Sequence, residues 1–554
     1  MRSLISAITI FFVLFCGSWV QASVGEALKS LPVQDGGRLK PFDTFARESL
    51  ELVFGKQKYK TPDGEKHDAS EIVFTWMLVP EEWEKNPIVH IRHSGLREAL
   101  QLENKRLHYS PQELMRNERV GLVIQELRTK QETREKLNPY FQAIQTLENQ
   151  ITMFHAVRLG KAMRVLPAKD GQNWLPVDEL DGVWKERFGR ITKAFVGAIS
   201  ARQHSENSEA VVAAEKELSD RVQEFMQAAA DEFPDKYADS SLIHAETHYN
   251  HFHPFRWAWV AYLMGVIFMA FAMVSPKRRY YFAGWGFFVL GLLLHTYGFG
   301  LRSYIIGRPP VTNMYESVTW VAYGAVVFAM ILEAIYRFRI VLLSSGVVAI
   351  LCLILSDMAP AVLDGSMDPL EPVLRDNFWL TTHVLIITLS YAAFFLAFLL
   401  GDLLLVYYYI DESRFKDRIK QGVLAIYRSM QIGVVLLAAG TILGGIWADY
   451  SWGRFWGWDP KETWALIALL GYLAILHGRL IGWVRDFGLA VWSIVTFALV
   501  IMAWYGVNFV LGAGLHTYGF GAGGVEYVAA FVVAHILFVI FVSVTRNSRL
   551  KSKS

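Results

Sequence analysis

The stretch Trp379–Ile410 reads WLTTHVLIITLSYAAFFLAFLLGDLLLVYYYI, an apolar run long enough to cross about 30 Å of hydrocarbon at about 1.5 Å of helical rise per residue. Similar blocks lie near residues 257–275, 280–300, 314–336, 340–358, 430–449, 462–482, 488–510 and 525–545. A chain of 554 residues that is 53% hydrophobic, with its apolar residues gathered this way, is too greasy for one soluble globule. The pattern predicts an all-α polytopic membrane protein of about nine transmembrane helices, preceded by a mainly helical periplasmic domain.

Working outward from the blocks, residues 1–22 carry Arg2, an apolar run from Leu4 to Val20 and small residues around Ala22. This reads as a secretory signal cleaved after Ala22 or Ser23, with an uncleaved anchor as the alternative; both send the next segment across the membrane. Residues 23–253 read as a soluble domain with charged, helix-favouring stretches at 111–160 and 208–232 and no catalytic motif, which suits a scaffold or docking surface. Residues 254–546 form the membrane domain and 547–554 a tail. The turns at 276–279, 337–339, 412–431 and 479–485, with the tail, hold about sixteen Lys and Arg, against about five in the alternate loops. By the positive-inside rule the first set is cytoplasmic and the soluble domain lies outside. The only cysteines are Cys16, in the signal, and Cys352, in an apolar block, so disulfide exchange by this chain is excluded. A net charge of +2 gives no sign of a nucleic-acid partner.

With that topology one external loop is Trp452–Trp464, WGRFWGWDPKETW. Four tryptophans in thirteen residues, Trp452, Trp456, Trp458 and Trp464, exceed what an interfacial belt needs. They suggest a broad, flat aromatic floor, with Gly453 and Gly457 letting a planar ligand approach the backbone. Haem is such a ligand, and its iron favours imidazole. His383, near the outer end of its block, and His516, after Leu511-Gly-Ala-Gly, lie at the level of that loop and are the candidate iron ligands. His477 should sit roughly 22 Å below the outer face by helical rise, where an ionisable side chain is a functional candidate by default. His295, about 8 Å deep, and His535, about 15 Å deep, read first as hydrogen-bonded structural histidines, with His535 kept as an internal mate for His477. The heptapeptide Leu294–Gly300, LHTYGFG, recurs at Leu515–Gly521. His244, His248, His251 and His253 could mimic a metal site but read better as a solvated juxtamembrane helix. Asp459 either orients the tryptophan loop or meets the substrate.

At these residues the chain resembles a known family. Trp452–Trp464 is similar to the tryptophan-rich WWD haem-handling signature. Trp379-Leu-Thr-Thr-His383 with Ser390-Tyr-Ala-Ala-Phe394 resembles the family's first external-histidine helix, Gly514-Leu-His516 its second external histidine, and Leu476-His-Gly-Arg479 its intramembrane histidine. Gly307-Arg-Pro-Pro-Val-Thr-Asn-Met-Tyr-Glu316 resembles the loop opening the family's core, and Leu31–Ala46 part of the periplasmic segment of fused members. The family is the CcsA/ResC-type cytochrome c biogenesis proteins of System II. The resemblance implies a cytochrome c synthase subunit that takes haem from the cytoplasmic side, holds it outside and joins its vinyl groups to the thiols of a Cys-x-x-Cys-His apocytochrome c. It implies His383, His516 and His477 as iron ligands, Trp452, Trp456, Trp458 and Trp464 as haem contacts and Asp459 as the candidate catalytic residue. It implies as partners a ResB/CcsB-like membrane protein, apocytochrome c, a thioredoxin-like apocytochrome reductant and membrane lipids. No ResB-like set of spanning helices lies before the soluble domain, so that partner is expected as a separate chain. The rival readings are a System I haem-handling protein of the CcmC or CcmF kind, a haem exporter without ligation activity, and an assembly subunit of a respiratory complex.

Overall fold

The computed structural model describes residues 24–61, 64–132, 137–169, 173–204, 208–237, 239–275, 277–358, 363–370, 376–511 and 524–551. They fall into two compact units, Met1–Phe252 and His253–Ser554.

The first unit is mainly helical, and it also carries short strands that hydropathy does not announce. Pro32–Asp35 (β1) pairs with Arg38–Pro41 (β2) across Gly36 and Gly37, whose φ values of 58° and 80° make the tight turn. Arg164–Pro167 (β3) and Trp174–Pro176 (β4) complete an antiparallel sheet of order β2-β1-β3-β4. Two further two-stranded antiparallel pairs join Lys58–Lys60 to Lys66–Asp68 and Val89–His90 to His108–Tyr109. Packed with these strands are helices α1 (Phe42–Phe54), α2 (Ala69–Leu78), α3 (Pro139–Arg158), α4 (Gly182–His204) and α5 (Ser208–Glu232). Their core is aromatic: Phe74 meets Phe195 edge-on at 4.7 Å and Trp76 meets Phe154 at 5.4 Å.

The unit ends in α6 (Ser240–Phe252), fastened by buried polar pairs to the hairpin and α1. Arg38 donates two 2.8 Å bonds to Glu246, and Thr44 donates a third at 2.7 Å. Asn250 reaches Asp43 at 3.0 Å and Thr44 at 2.8 Å, and His251 lies 3.6 Å from Asp43. The juxtamembrane histidines thus have structural work: His251 faces a carboxylate and His248 stacks on Phe252 at 5.4 Å. Among the described residues no group of three or more His, Cys, Asp or Glu is placed to hold a metal ion.

In the second unit, nine helices among the described residues are long and apolar enough to cross a membrane, making this a multi-span membrane protein. They are α7 (Pro254–Val274, the apolar part of its span), α8 (Arg278–Ile306), α9 (Met314–Tyr336), α10 (Ile340–Met358), α11 (Leu380–Asp411), α12 (Lys416–Trp452), α13 (Pro460–Leu480), α14 (Asp486–Leu511) and α15 (Val525–Lys551). Helix α11, the block first read from the sequence, is the hub and packs against α9, α10, α12, α14 and α15. Lipid tails are as apolar as leucine, so such helices associate by close fit. Phe394 of α11 stacks on Tyr472 of α13 with ring centres 3.7 Å apart, fitting where Gly433 of α12 has no side chain. Two helices depart from α geometry: Leu380–Val384 and Met502–Leu511 are π-helical. Such wide turns are rare and concentrate at functional sites.

Candidate functional site

A cavity of about 560 Å³ opens where α9, α11, α12 and α14 converge on the loops at 307–313, 363–370 and 453–459. Organic ligands typically occupy pockets of roughly 300–1,000 Å³. Both π-helical turns face it, bringing Leu380, His383 and Val384 from one and Trp504, Asn508 and Phe509 from the other.

His383 is fixed by α12. Its Nδ1 lies 2.8 Å from the Gly440 carbonyl oxygen, and its ring meets Trp447 edge-on at 5.9 Å. A carbonyl only accepts, so Nδ1 carries the proton and the neutral ring has its lone pair on Nε2, the atom that can bind a metal. The same arrangement, a second ring nitrogen held by a carbonyl, orients ligand histidines in metal sites.

The tryptophan segment differs from a flat floor. Trp452 is the last residue of α12, which Gly453 terminates at φ 67° by donating its N–H to the Asp449 carbonyl. Trp452, Phe455 and Trp456 line the cavity. Trp458 is 70% exposed and perpendicular to Trp456, at 85° and 5.8 Å, so the rings form a corner. Trp464 lies in the beginning of α13 and does not line the cavity. The two glycines serve the backbone: Gly453 makes the turn, and the Arg454 guanidinium occupies the space a Cβ on Gly457 would fill.

Asp459 caps α13. Its carboxylate accepts the Glu462 N–H at 2.9 Å, while the Glu462 carboxylate accepts the N–H of Gly457 at 2.7 Å and of Asp459 at 3.3 Å. These last two amides flank Trp458, whose φ of 57° is unusual for a bulky residue and costs about 1–2 kcal/mol. The capping box gives the Asp459 carboxylate a structural use in the tryptophan loop.

Behind the polar lining residues Arg308, Thr312 and Ser366 the loops are tied down. Arg302, buried in α8, donates to Glu316 at 2.8 Å and to the carbonyls of Gly365 and Ser366 at 3.0 and 2.9 Å. Glu316 also accepts from the Thr312 N–H and hydroxyl, both at 2.8 Å, and Arg308 reaches the Asp368 carbonyl at 2.8 Å. The charges are paired and the carbonyls satisfied, as burial requires.

The lining fits a large, flat ligand that carries an iron. His383 offers a metal-binding nitrogen. The Trp447 and Trp456 rings line the cavity with apolar surface, their indole N–H groups being buried within the protein. Trp447 and Trp504 were missed in the sequence because each sits inside an apolar block and reads as core. Their signal was alignment with His383, which needs the helix pairing.

The remaining histidines are dispersed. His516 lies outside the described residues. His477 is exposed on α13, its Nδ1 donating to the Leu473 carbonyl at 2.7 Å. His535 turns to α11, with Nε2 3.4 Å from Asp402, Nδ1 2.7 Å from the Phe531 carbonyl and its ring against Phe398. Asp402 is about 28 Å of helical rise beyond His383, so His535 lies much deeper than a start of α15 at the membrane face implied. From the Phe394–Tyr472 stack, His477 and His535 differ in depth by about 4–5 Å, less than the 7 Å that counting gave, but they face different surroundings. His295 is buried among Phe255, Phe299 and Tyr323 and pairs with the Tyr262 hydroxyl at 3.3 Å, a structural histidine.

Residues 311–516, which span all but one of the cavity-lining residues, match the family described as Cytochrome C assembly protein. The CcsA cytochrome c biogenesis proteins of Guillardia theta and Parasynechococcus marenigrum are similar to this chain. The first is 32% identical over 288 residues, 47% of this chain and 91% of that protein. The second is 34% identical over 263 residues, 42% of this chain and 85% of that protein. Protein NrfI of Wolinella succinogenes is 27% identical over 507 residues, 88% of this chain, and the chain spans about half the length of that relative, 53%. The chain belongs to the CcsA-type cytochrome c biogenesis family.

Proposed function

We propose that the cavity beside His383 holds haem on the outer side of a bacterial inner membrane and presents it for covalent attachment to Cys-x-x-Cys-His apocytochrome c. The observation that supports this best is the imidazole fixed by Gly440 in a cavity with tryptophan walls. His383 and His516 are the axial pair in this reading. Trp452 and Trp456, joined by Trp447, form the wall, while Trp458 and Trp464 frame its approach. Asp459 acts through the loop it caps.

Haem supplies two vinyl groups: each takes a cysteine S–H across its double bond, sulfur to one carbon and hydrogen to the other, with no oxidant consumed. The protein's part is placement at high effective concentration. The alternation of Lys and Arg between loops supports an external cavity and a periplasmic first unit. His477 is exposed on α13 with its lone pair on Nε2, which suits an inner haem site completed by a ResB-like chain.

The test is maturation of a reporter apocytochrome in a bacterium stripped of its own maturation systems, expressing this chain with and without a ResB-like partner. Thioether-bound haem with the partner, and none with His383→Ala, is the expected result. Haem accumulating outside the cell with no thioether formed would make the protein an exporter.

A further inference from the structure

Resting on the reading of His383 as an iron ligand, the close approach of α11 and α12 carries a further assignment. Gly440 and Gly444 lie one turn apart on α12, where small residues usually serve helix–helix packing. Gly440 fits that role in part: a Cβ there would meet Ile387, at 2.8 Å from its Cβ and 2.9 Å from its Cα. Gly444 differs. All three of its nearest neighbours belong to His383, with a Cβ falling 2.5 Å from Cε1, 2.9 Å from Nδ1 and 3.1 Å from Nε2. Real Cβ atoms do not approach a ring so closely, so alanine at 444 and the observed imidazole exclude each other.

We infer that Gly440 and Gly444 are positioning residues for His383, the Gly440 carbonyl selecting the Nδ1–H tautomer and the missing side chain of Gly444 leaving the space the imidazole occupies. The carbonyl decides which nitrogen holds the proton, and Gly444 decides where the ring stands. Neither needs to touch the ligand. A rotation of χ1 to escape a Cβ at 444 would break the 2.8 Å bond to Gly440 and turn Nε2 from its place.

The experiment uses the full chain purified from a haem-replete bacterium, reading haem retained per protein and the spectrum that separates two-imidazole low-spin iron from high-spin iron. Gly444→Ala is expected to lose haem by about tenfold or more, the range for outer-shell residues of metal sites, and to shift what remains towards high spin, as His383→Ala does. The double variant His383→Gly with Gly444→Ala removes the collision. It is expected to insert and melt as His383→Gly alone does, whereas added imidazole, which must fill the same space, restores haem to His383→Gly and not to the double variant. A wild-type haem content and spectrum in Gly444→Ala overturns the inference. So does a double variant that inserts or melts worse than His383→Gly, because Gly444 then serves helix packing, or one that imidazole rescues as fully as His383→Gly, because the ring then does not need the space at 444. If His383→Ala keeps the wild-type spectrum, the ligand reading itself falls and takes this inference with it.

Discussion

Asp459 separates two kinds of explanation, because a cap and a chemical group respond differently to the same substitution. As a cap, the carboxylate contributes one bond to the Glu462 N–H at 2.9 Å. Asparagine is as good an N-cap as aspartate, whereas alanine loses about 0.5–2 kcal/mol. At about 1 kcal/mol the ordered loop is disfavoured roughly fivefold. Glu462 contributes the other half of the box, holding the amides on either side of the strained Trp458. Its 2.7 Å bond to Gly457 is charge-assisted, and Glu462→Ala should cost about 1.5–3 kcal/mol. The expected order of cytochrome maturation is therefore wild type equal to Asp459→Asn, then Asp459→Ala, then Glu462→Ala. Hydrogen exchange at the Gly457 and Glu462 amides should rise in the same order. The assay is thioether-bound haem on a reporter cytochrome, normalised to inserted protein. If Asp459→Asn is as inactive as Asp459→Ala while its amides stay protected, the charge is what matters and the capping account is refuted.

Trp447→Ala removes the ring that lines the cavity and meets His383 edge-on at 5.9 Å; it should weaken haem retention by about 0.5–1.5 kcal/mol, up to roughly tenfold, and unchanged retention would remove Trp447 from the site. Arg302→Met strips Glu316 of a buried partner and frees the Gly365 and Ser366 carbonyls; a loss of about 3–5 kcal/mol should appear as a lower melting temperature in detergent, and an unchanged melt contradicts that network. In the first unit, burial and the neighbouring His108 lower the His90 pKa to about 4. An unfolded histidine titrates near 6.5, so the folded state binds fewer protons between those values and local stability falls as pH drops from about 6.5 to about 4. Asp43 is buried, which opposes its charge, yet His251 and Arg47 hold it well below the usual range, so its contribution is present above about pH 4 and is lost only below that. Hydrogen exchange around Val89–His90 in the full chain should show the first window, and His90→Gln should flatten it; an unaltered slope contradicts the assignment.

The membrane architecture was legible because a span must be apolar along its whole length, and Trp379–Ile410 states that without help from any neighbour. His383 and the tryptophan segment stand out for a related reason, since imidazole and clustered indoles are costly ornaments in such a chain. What hydropathy could not show is pairing between helices. Gly440, Gly444 and Trp447 read as ordinary packing residues until α12 is laid against α11. The corner between Trp456 and Trp458 depends on a left-handed backbone that composition does not declare. The depth of His535 was misjudged because helical rise was counted from the start of α15, whereas the contact with Asp402 sets its level. In the first unit the Gly36-Gly37 turn between Val33 and Leu39 was a readable hairpin signal, but strands of three or four residues are too short for alternation to stand out.

Binding of haem iron by the His383 imidazole in the cavity is the feature on which every other assignment at this site depends. Haem content and the absorption and electron-paramagnetic-resonance spectra of the purified full chain should be compared with those of His383→Ala, each with and without added imidazole. The prediction is a low-spin haem in the wild type that His383→Ala loses or converts to high spin, and that imidazole restores. Equal haem content and identical low-spin spectra in the two proteins would contradict it.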